Sequence, residues 1–299
     1  MKRLFLSRLA TVILFSASLA SLPPTTLGND TNSASPTINK FQPVSPEDQF
    51  QLGRSYHRGE GVPQSFEQAY YWYNRAAKSG NIKAMHNLGI MYLDGIGVPK
   101  DDGKGYALLL ESAKKGDPRS QYTCGMMLCQ GRGVVRDCKK GVSWLQKASI
   151  SGNLDAKVRI AQDLLFGDDA VEKNVSAAVP LLTECSEKGN GWASGTLGLL
   201  YRDGYGVTMN KEKSRELLKR GSLLGDPKSM MELAFELSDE DPCKAYPFLK
   251  LASERITNNI VLDNELLRTR ELMKPQEIEA GNVAASMLDK IIKGVNGIR

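Results

Sequence analysis

Histidine is almost absent from this chain. Of 299 residues only His57 and His86 are histidines, and neither has a second ligand at metal spacing. No Cys-x-x-Cys, His-Glu-x-x-His, nucleophile elbow or phosphate loop occurs either. Those absences leave no expected metal and no expected cofactor. Long hydrophobic runs are also missing. LATVILFSASLA, near the start, is only twelve residues long and is interrupted by Thr11, Ser16 and Ser18, well short of the roughly twenty apolar residues that cross a bilayer. Nor is there a block of one charge. The formal net charge is +5, of which Lys2, Arg3 and Arg8 supply three, and acidic and basic residues are interspersed through the remainder. That pattern suits solvated helix faces, and it excludes nucleic acid and a charged membrane surface as partners.

What the chain does have is a period. LGRSYHRGEGV begins at Leu52, LGIMYLDGIGV at Leu88, CGMMLCQGRGV at Cys124 and LGLLYRDGYGV at Leu197. Aligned, they give a ladder of Gly53, Gly89, Gly125, Ala161, Gly198 and Ala234, with steps of 36 or 37 residues. A period of this size belongs to stacked helical hairpins. Tyr56, Tyr92, Leu128, Leu164 and Tyr201 follow one turn later, and Gly59, Gly95, Gly131, Gly167 and Gly204 mark where a first helix stops. A second helix follows, with Ala69, Trp72 and Ala76, then Gly141, Trp144 and Ala148, at the spacing of one helix face. Gly80, Gly116, Gly152, Gly189 and Gly225 end it. Glycine within a helix costs roughly 1 kcal/mol against alanine. Its recurrence on the ladder therefore predicts a contact too close for a side chain.

The Leu-Gly pair, the Tyr one turn on, the Gly-x-Gly-Val loop and an Ala-rich second helix ending in Gly together resemble the Sel-one-like repeat (SLR), a relative of the tetratricopeptide repeat. The resemblance covers about residues 47–255. It implies an all-α fold: a right-handed α-solenoid superhelix of six helix-turn-helix repeats, with a helical C-terminal cap. The repeats are drawn at 49–84, 85–120, 121–156, 157–193, 194–229 and 230–255, and the cap at 256–299. Repeat four departs from the pattern, with Phe166-Gly167-Asp168-Asp169-Ala170 for its loop and Pro180 in its second helix. Repeat six is shorter, with SDEDPC as its whole loop. Both hairpins are expected to be irregular. In the tail, Lys274-Pro275-Gln276-Glu277 has the form of a helix start.

Residues 1–20 have a basic start, an apolar run and the small residues Ser18 and Ala20, as a secretory signal peptide does. Residues 21–45, rich in Pro, Thr, Ser and Asn, are expected to form a disordered linker. The chain is thus expected to be exported, to a periplasm or to the medium, without a stable membrane anchor. Five cysteines fit such a compartment. Cys129 ends a first helix and Cys138 starts the second, so the hairpin brings them together as a disulfide candidate. Cys124 holds the Leu position of the ladder, Cys185 a small-residue packing position, and Cys243 the short loop of repeat six.

One enzyme-like motif appears. Ser112-Ala113-Lys114-Lys115 fits the Ser-x-x-Lys of penicillin-recognising hydrolases, and the resemblance implies a β-lactam link through its cysteine-rich branch. Ser112, however, stands where the other repeats carry Ala76 and Ala148, and the Ser-Asp-Asn and Lys-Thr-Gly partner motifs are absent. No catalytic residue is assigned. Three functions stay open: an exported, non-enzymatic interaction scaffold, a hydrolase of β-lactams or cell-wall fragments, and a secreted factor that meets a host protein. A lumenal adaptor of a eukaryotic secretory pathway would glycosylate Asn174 in its Asn-Val-Ser sequon.

For a scaffold, the working surface is the inner curve of the first helices. Positions two after each ladder Leu vary: Arg54, Ile90, Met126, Gln162, Leu199 and Phe235. Three residues ahead on the same face come Gln51, Asn87, Thr123, Arg159, Thr196 and Glu232. The two rows are expected to bind a protein, peptide or glycan, from a cell envelope or a host, with Arg54 and Arg159 gripping carboxylates. The chain itself is expected to be a monomer.

Overall fold

A computed structural model describes residues 45–168 and 170–297. The expected signal peptide and all of the expected linker except Ser45 lie outside the described residues. Among those residues there are fourteen helices and no strand. Six consecutive hairpins carry the ladder. They are α1 (Pro46–Arg58) with α2 (Phe66–Lys78), α3 (Ile82–Asp94) with α4 (Asp102–Lys114), and α5 (Pro118–Gln130) with α6 (Cys138–Ile150). Then come α7 (Leu154–Phe166) with α8 (Val175–Glu187), α9 (Gly191–Asp203) with α10 (Lys211–Leu223), and α11 (Pro227–Ser238) with α12 (Pro242–Arg255). Two more helices follow, α13 (Ile260–Glu271) and α14 (Pro275–Gly297). Each second helix packs on its own first helix and on the first helix of the next hairpin, which is the arrangement of an α-solenoid.

Each helix of the six hairpins starts where a polar side chain caps it. Asn81, Asp117, Asn153, Asn190 and Asp226 take extended backbone just before a first helix, and each accepts from the backbone N–H three residues on. Ser65, Asp101, Asp137, Asn174, Asn210 and Asp241 likewise accept from the amide three residues on to cap the second helices. Asn174, the sequon residue, is therefore a cap, accepting from the Ala177 amide.

The two loop glycines have different tasks. Gly95 closes α3 in the left-handed conformation at φ 70°. A Cβ on Gly97 would lie 2.6 Å from the Phe66 carbonyl oxygen, so the loop of one hairpin sits against the second helix of the hairpin before it. Between them, at the x of Gly-x-Gly in repeat three, Arg132 donates to Asp102 at 2.9 Å and to the Leu93 carbonyl at 2.7 Å. That latch fastens repeat three to repeat two.

Repeats four and six depart from the pattern in their loops, while their helices keep ordinary length. Gly167 ends α7 at φ 73°, ψ 153°, outside the left-handed cap. Asp168 accepts there from the amides of Ala170 and Val171. In repeat six only Asp239, Glu240 and Asp241 separate α11 from α12. Cys243 is consequently an exposed residue of the first turn of α12, and the expected loop position is corrected. Pro180 and Pro247 both sit inside helices that continue through them.

The core continues through the array as successive clusters. Tyr73, Ala76, Leu88 and Met91 belong to the first, and Leu109, Ala113, Cys124 and Met127 to the next. At the far end, Leu262 of α13 and Ala285 and Ile292 of α14 join Leu249 and Ala252 of α12. Among the described residues no helix is long and apolar enough to cross a membrane.

Candidate interaction groove

The middle and last turn of α1, the length of α3 and the start of α5 line a groove of about 780 Å³. Its floor is apolar. Phe50, Tyr73 and Met91 are buried there, and Ile90 is half-buried. Asn87 is fixed at the floor by a hydrogen bond to the Tyr73 hydroxyl, whose acidity is weakened by burial. Around the rim stand Arg54, Arg58, Lys83 and Arg119, against Asp94 and Asp117, so cations outnumber anions.

The rim cations differ in how firmly they are held. Lys83 reaches Glu47 at 3.8 Å and lies 5.8 Å above the Phe50 ring, and Arg58 meets Glu60 at 3.3 Å. Arg119 is 3.5 Å from Asp117. Each is more than half exposed, so these contacts are weak and exchangeable with solvent. Arg54 is exposed and meets no carboxylate among the described residues.

Beneath one wall lies a closed polar cluster. His86 Nδ1 is 2.8 Å from Ser120 Oγ and 3.4 Å from Asp117. Ser120 Oγ is also 2.9 Å from Ser112 Oγ. Burial pushes the His86 pKa down to about 4; Arg119 adds to the effect and Asp117 opposes it. The imidazole is therefore neutral at pH 7. Ser112 and Ser120 have no exposed surface, and the Ser112 hydroxyl donates to the Ile82 carbonyl at 3.2 Å. Lys115, the other half of the Ser-x-x-Lys motif, caps α4 and pairs with Glu111 at 3.5 Å. The set ties α3, α4 and α5 together and offers no reachable nucleophile.

Of the twelve positions in the expected rows, the groove gathers Gln51, Arg54, Asn87 and Ile90. The remaining eight are half-buried residues on the matching faces of later first helices and do not line it. Several are already engaged. Arg159 binds Asp163 on its own helix at 2.9 Å, and Asp163 is only 6 % exposed. The Arg159 charge thus already faces a buried carboxylate of its own helix. Glu232 accepts from Arg202 at 2.7 Å, Thr123 donates to the Arg119 carbonyl, and Gln51 donates to Glu47. Ile90 and Phe235 also pack against core clusters. Gln162, Thr196, Met126 and Leu199 complete the half-buried set.

Sequence reasoning missed Lys83 and Arg119, which repeat the Glu47 position at 36-residue steps, one turn before the row of Gln51. The same rows extended by a turn contain them. It also missed His86 as a core residue of a hydrogen-bonded cluster: the serine pair Ser112–Ser120 recurs as Ser186–Ser194, but the histidine that joins it does not.

Cys129 and Cys138 are joined in a disulfide across the third hairpin, with Cα atoms 4.0 Å apart. Cys124 and Cys185 are buried free thiols, and burial pushes the Cys124 pKa up to about 12. Among the described residues no group of His, Cys, Asp or Glu is arranged to hold a metal ion.

The family model for the Sel1 repeat matches residues 46–81, 82–117, 118–153 and 197–226. The first three matches begin three residues before the boundaries drawn from the ladder. Repeats four and six, whose loops depart from the pattern, are not matched. No protein with a curated description matches the chain. Among solved structures, a Sel1 repeat protein from Oxalobacter formigenes is 27% identical with a TM-score of 0.65, over 71% of this chain and 89% of that one. A protective antigen of uropathogenic Escherichia coli strains, which displays an SLR fold, is 20% identical with a TM-score of 0.57. That match covers 86% of this chain and 64% of the other, and it bears on the fold alone.

Proposed function

The chain carries Sel1 repeats, and from that premise we propose that it is an exported, non-enzymatic scaffold that holds an acidic, extended segment of a partner protein in the α1–α3 groove. Sel1 repeat proteins are generally protein-interaction scaffolds. The observation that carries the finer reading is the groove itself: an apolar floor rimmed by Arg54, Arg58, Lys83 and Arg119. An apolar strip with a few placed polar groups is the usual make-up of a binding surface. Exposed guanidinium groups favour carboxylates, which they can take with two parallel hydrogen bonds. The amide of Asn87, fixed by Tyr73, is placed to pair with the main chain of such a segment.

Affinity purification from the native envelope or medium tests this reading, using wild-type protein beside an Arg54→Glu/Lys83→Glu variant. A partner that wild type retains and the variant loses supports the groove. A partner held equally by both proteins overturns it. The hydrolase alternative has against it the full burial of Ser112, and turnover of a chromogenic β-lactam by purified protein would revive it. Export rests on the sequence of residues 1–20, and fractionation of the producing cell decides between periplasm and medium.

A further inference from the structure

Helix α14 lies on α12 as each first helix lies on the second helix of the hairpin before it. Its inner face is closely fitted. Ala285 and Ile292 are buried, and a Cβ on Gly281 would lie 2.6 Å from the Tyr246 ring. The opposite face is apolar too. Val283, Met287 and Ile291 recur every four residues and are 50%, 59% and 55% exposed. Ala280 and Ala284 lie exposed beside them. Large apolar side chains at this spacing make a continuous stripe along a helix. The stripe is open to solvent, in contrast to the covered first helices of the array.

The charges beside the stripe show what fits it. Glu279 and Lys290 are both exposed, and neither meets an opposite charge among the described residues. At about 100° per residue, eleven residues bring the chain back to within about 20°, so the two stand on one edge of the stripe, three turns apart. An antiparallel pair of identical helices related by a two-fold axis brings the same edge of each copy together. With the axis near Ala285, Val283 of one copy lies beside Met287 of the other. Glu279 then meets Lys290 with an offset of only about 1.5 Å along the helix. A parallel pair would leave the charges on opposite edges. The stripe is thus complementary to itself in one orientation.

We infer that α14 is a self-association surface, through which two copies of this chain pair antiparallel, Val283 against Met287 and Glu279 against Lys290. Helix α14 has 23 residues, about 34 Å, and so offers several turns of contact. The small residues Ala280 and Ala284 let the two backbones approach. The pairing would join the arrays at their C-terminal helices and leave the α1–α3 groove of each copy free. It departs from the monomer expected from sequence.

Sedimentation velocity of the purified chain over a concentration series tests the inference. The wild type is expected to pass from monomer to dimer as concentration rises. Glu279→Lys alone and Lys290→Glu alone should each weaken the dimer by about fivefold or more, because each sets like charges opposite at two symmetric places. The double reversal should restore it. All these positions are exposed, so circular dichroism should show unchanged folding. A chain that stays monomeric at about 100 μM, a concentration above the usual range for weak dimers, overturns the inference. So does a dimer indifferent to both single reversals, since its contact would then lie elsewhere.

Discussion

Gly89 and Leu109 stand so close that a Cβ added to the glycine would fall 2.7 Å from the leucine Cγ. The same relationship recurs in other hairpins: Gly53 against Tyr73, Gly125 against Leu145 and Gly198 against Leu218. Glycines meet from both sides at two crossings. The Cβ of an alanine at Gly105 would lie 3.0 Å from the Gly89 carbonyl oxygen, and at Gly141 only 2.7 Å from that of Gly125. The two helices of these hairpins therefore touch backbone to backbone, and the large side chain of one helix lies over the glycine of the other. A short hairpin held this tightly is what lets the unit repeat.

Substitution at this crossing should have the opposite sign from substitution on a free face. Gly89→Ala gains up to about 1 kcal/mol in helix propensity but overlaps Leu109, so a net loss of about 1–3 kcal/mol is expected. Gly103→Ala, exposed on α4 with nothing nearer than 3.5 Å, should instead stabilise by about 0.5–1 kcal/mol. Urea unfolding of both variants beside wild type checks this. Equal effects would mean that helix propensity alone governs both sites.

The period made the hairpins and the glycine contacts legible, because equivalent residues 36 apart must meet equivalent neighbours. It does not say where unlike residues converge. Lys83 and Arg119 hold matching positions of α3 and α5, yet they gain meaning only when the groove sets them around Phe50. Arg159 and Asp163 stand four apart, a pairing visible in the sequence. The burial of Asp163, which commits the arginine, comes from packing. The polar caps after Gly80, Gly116, Gly152, Gly189 and Gly225 were written as plainly as the glycines they follow. They are Asn or Asp in every case. The C-terminal helices are the opposite case: helical periodicity was evident there, but which face of α14 is covered depends on α12.

The disulfide closes the third hairpin alone. Non-reducing peptide mapping of protein from an oxidising compartment should link Cys129 to Cys138 and leave Cys124 free. Replacing both partners with serine should cost at most about 3 kcal/mol, the entropy of a short closed loop. In the folded state Cys124 should react slowly with thiol reagents, being buried and pushed up to about 12. Rapid native labelling of Cys124 would contradict its place in the core.

Removing Arg159 should damage the fold more than the partner. Asp163 is buried and its pKa is raised by that burial, with Arg159 working against the rise. Arg159→Ala leaves the carboxylate unpaired and should cost about 1–3 kcal/mol at pH 7. Asp163→Asn in the same background should recover part of the loss, since the buried charge is gone. Arg54→Ala, at an exposed position, should change stability by less than about 0.5 kcal/mol. Chemical denaturation of the four proteins distinguishes these expectations.

His86 makes the stability of repeats two and three depend on acid. Its folded pKa, about 4, lies below the ordinary 6.5, so the folded state prefers the neutral ring. Between those values the unfolded chain binds the proton that the folded chain refuses. Stability from this group is complete above about pH 6.5 and falls as the pH drops toward 4, by on the order of 3 kcal/mol in all. Paired carboxylates also titrate at the low end, so the decisive comparison is with His86→Gln. That variant starts from lower stability, having lost the Ser120 contact, but should show a flatter slope between pH 6.5 and 4.5. Direct titration of the ring by NMR in folded protein should give a midpoint near 4. A midpoint near 6.5 would mean that the ring is solvated, and the cluster with Ser120 and Asp117 would then not be the closed one described.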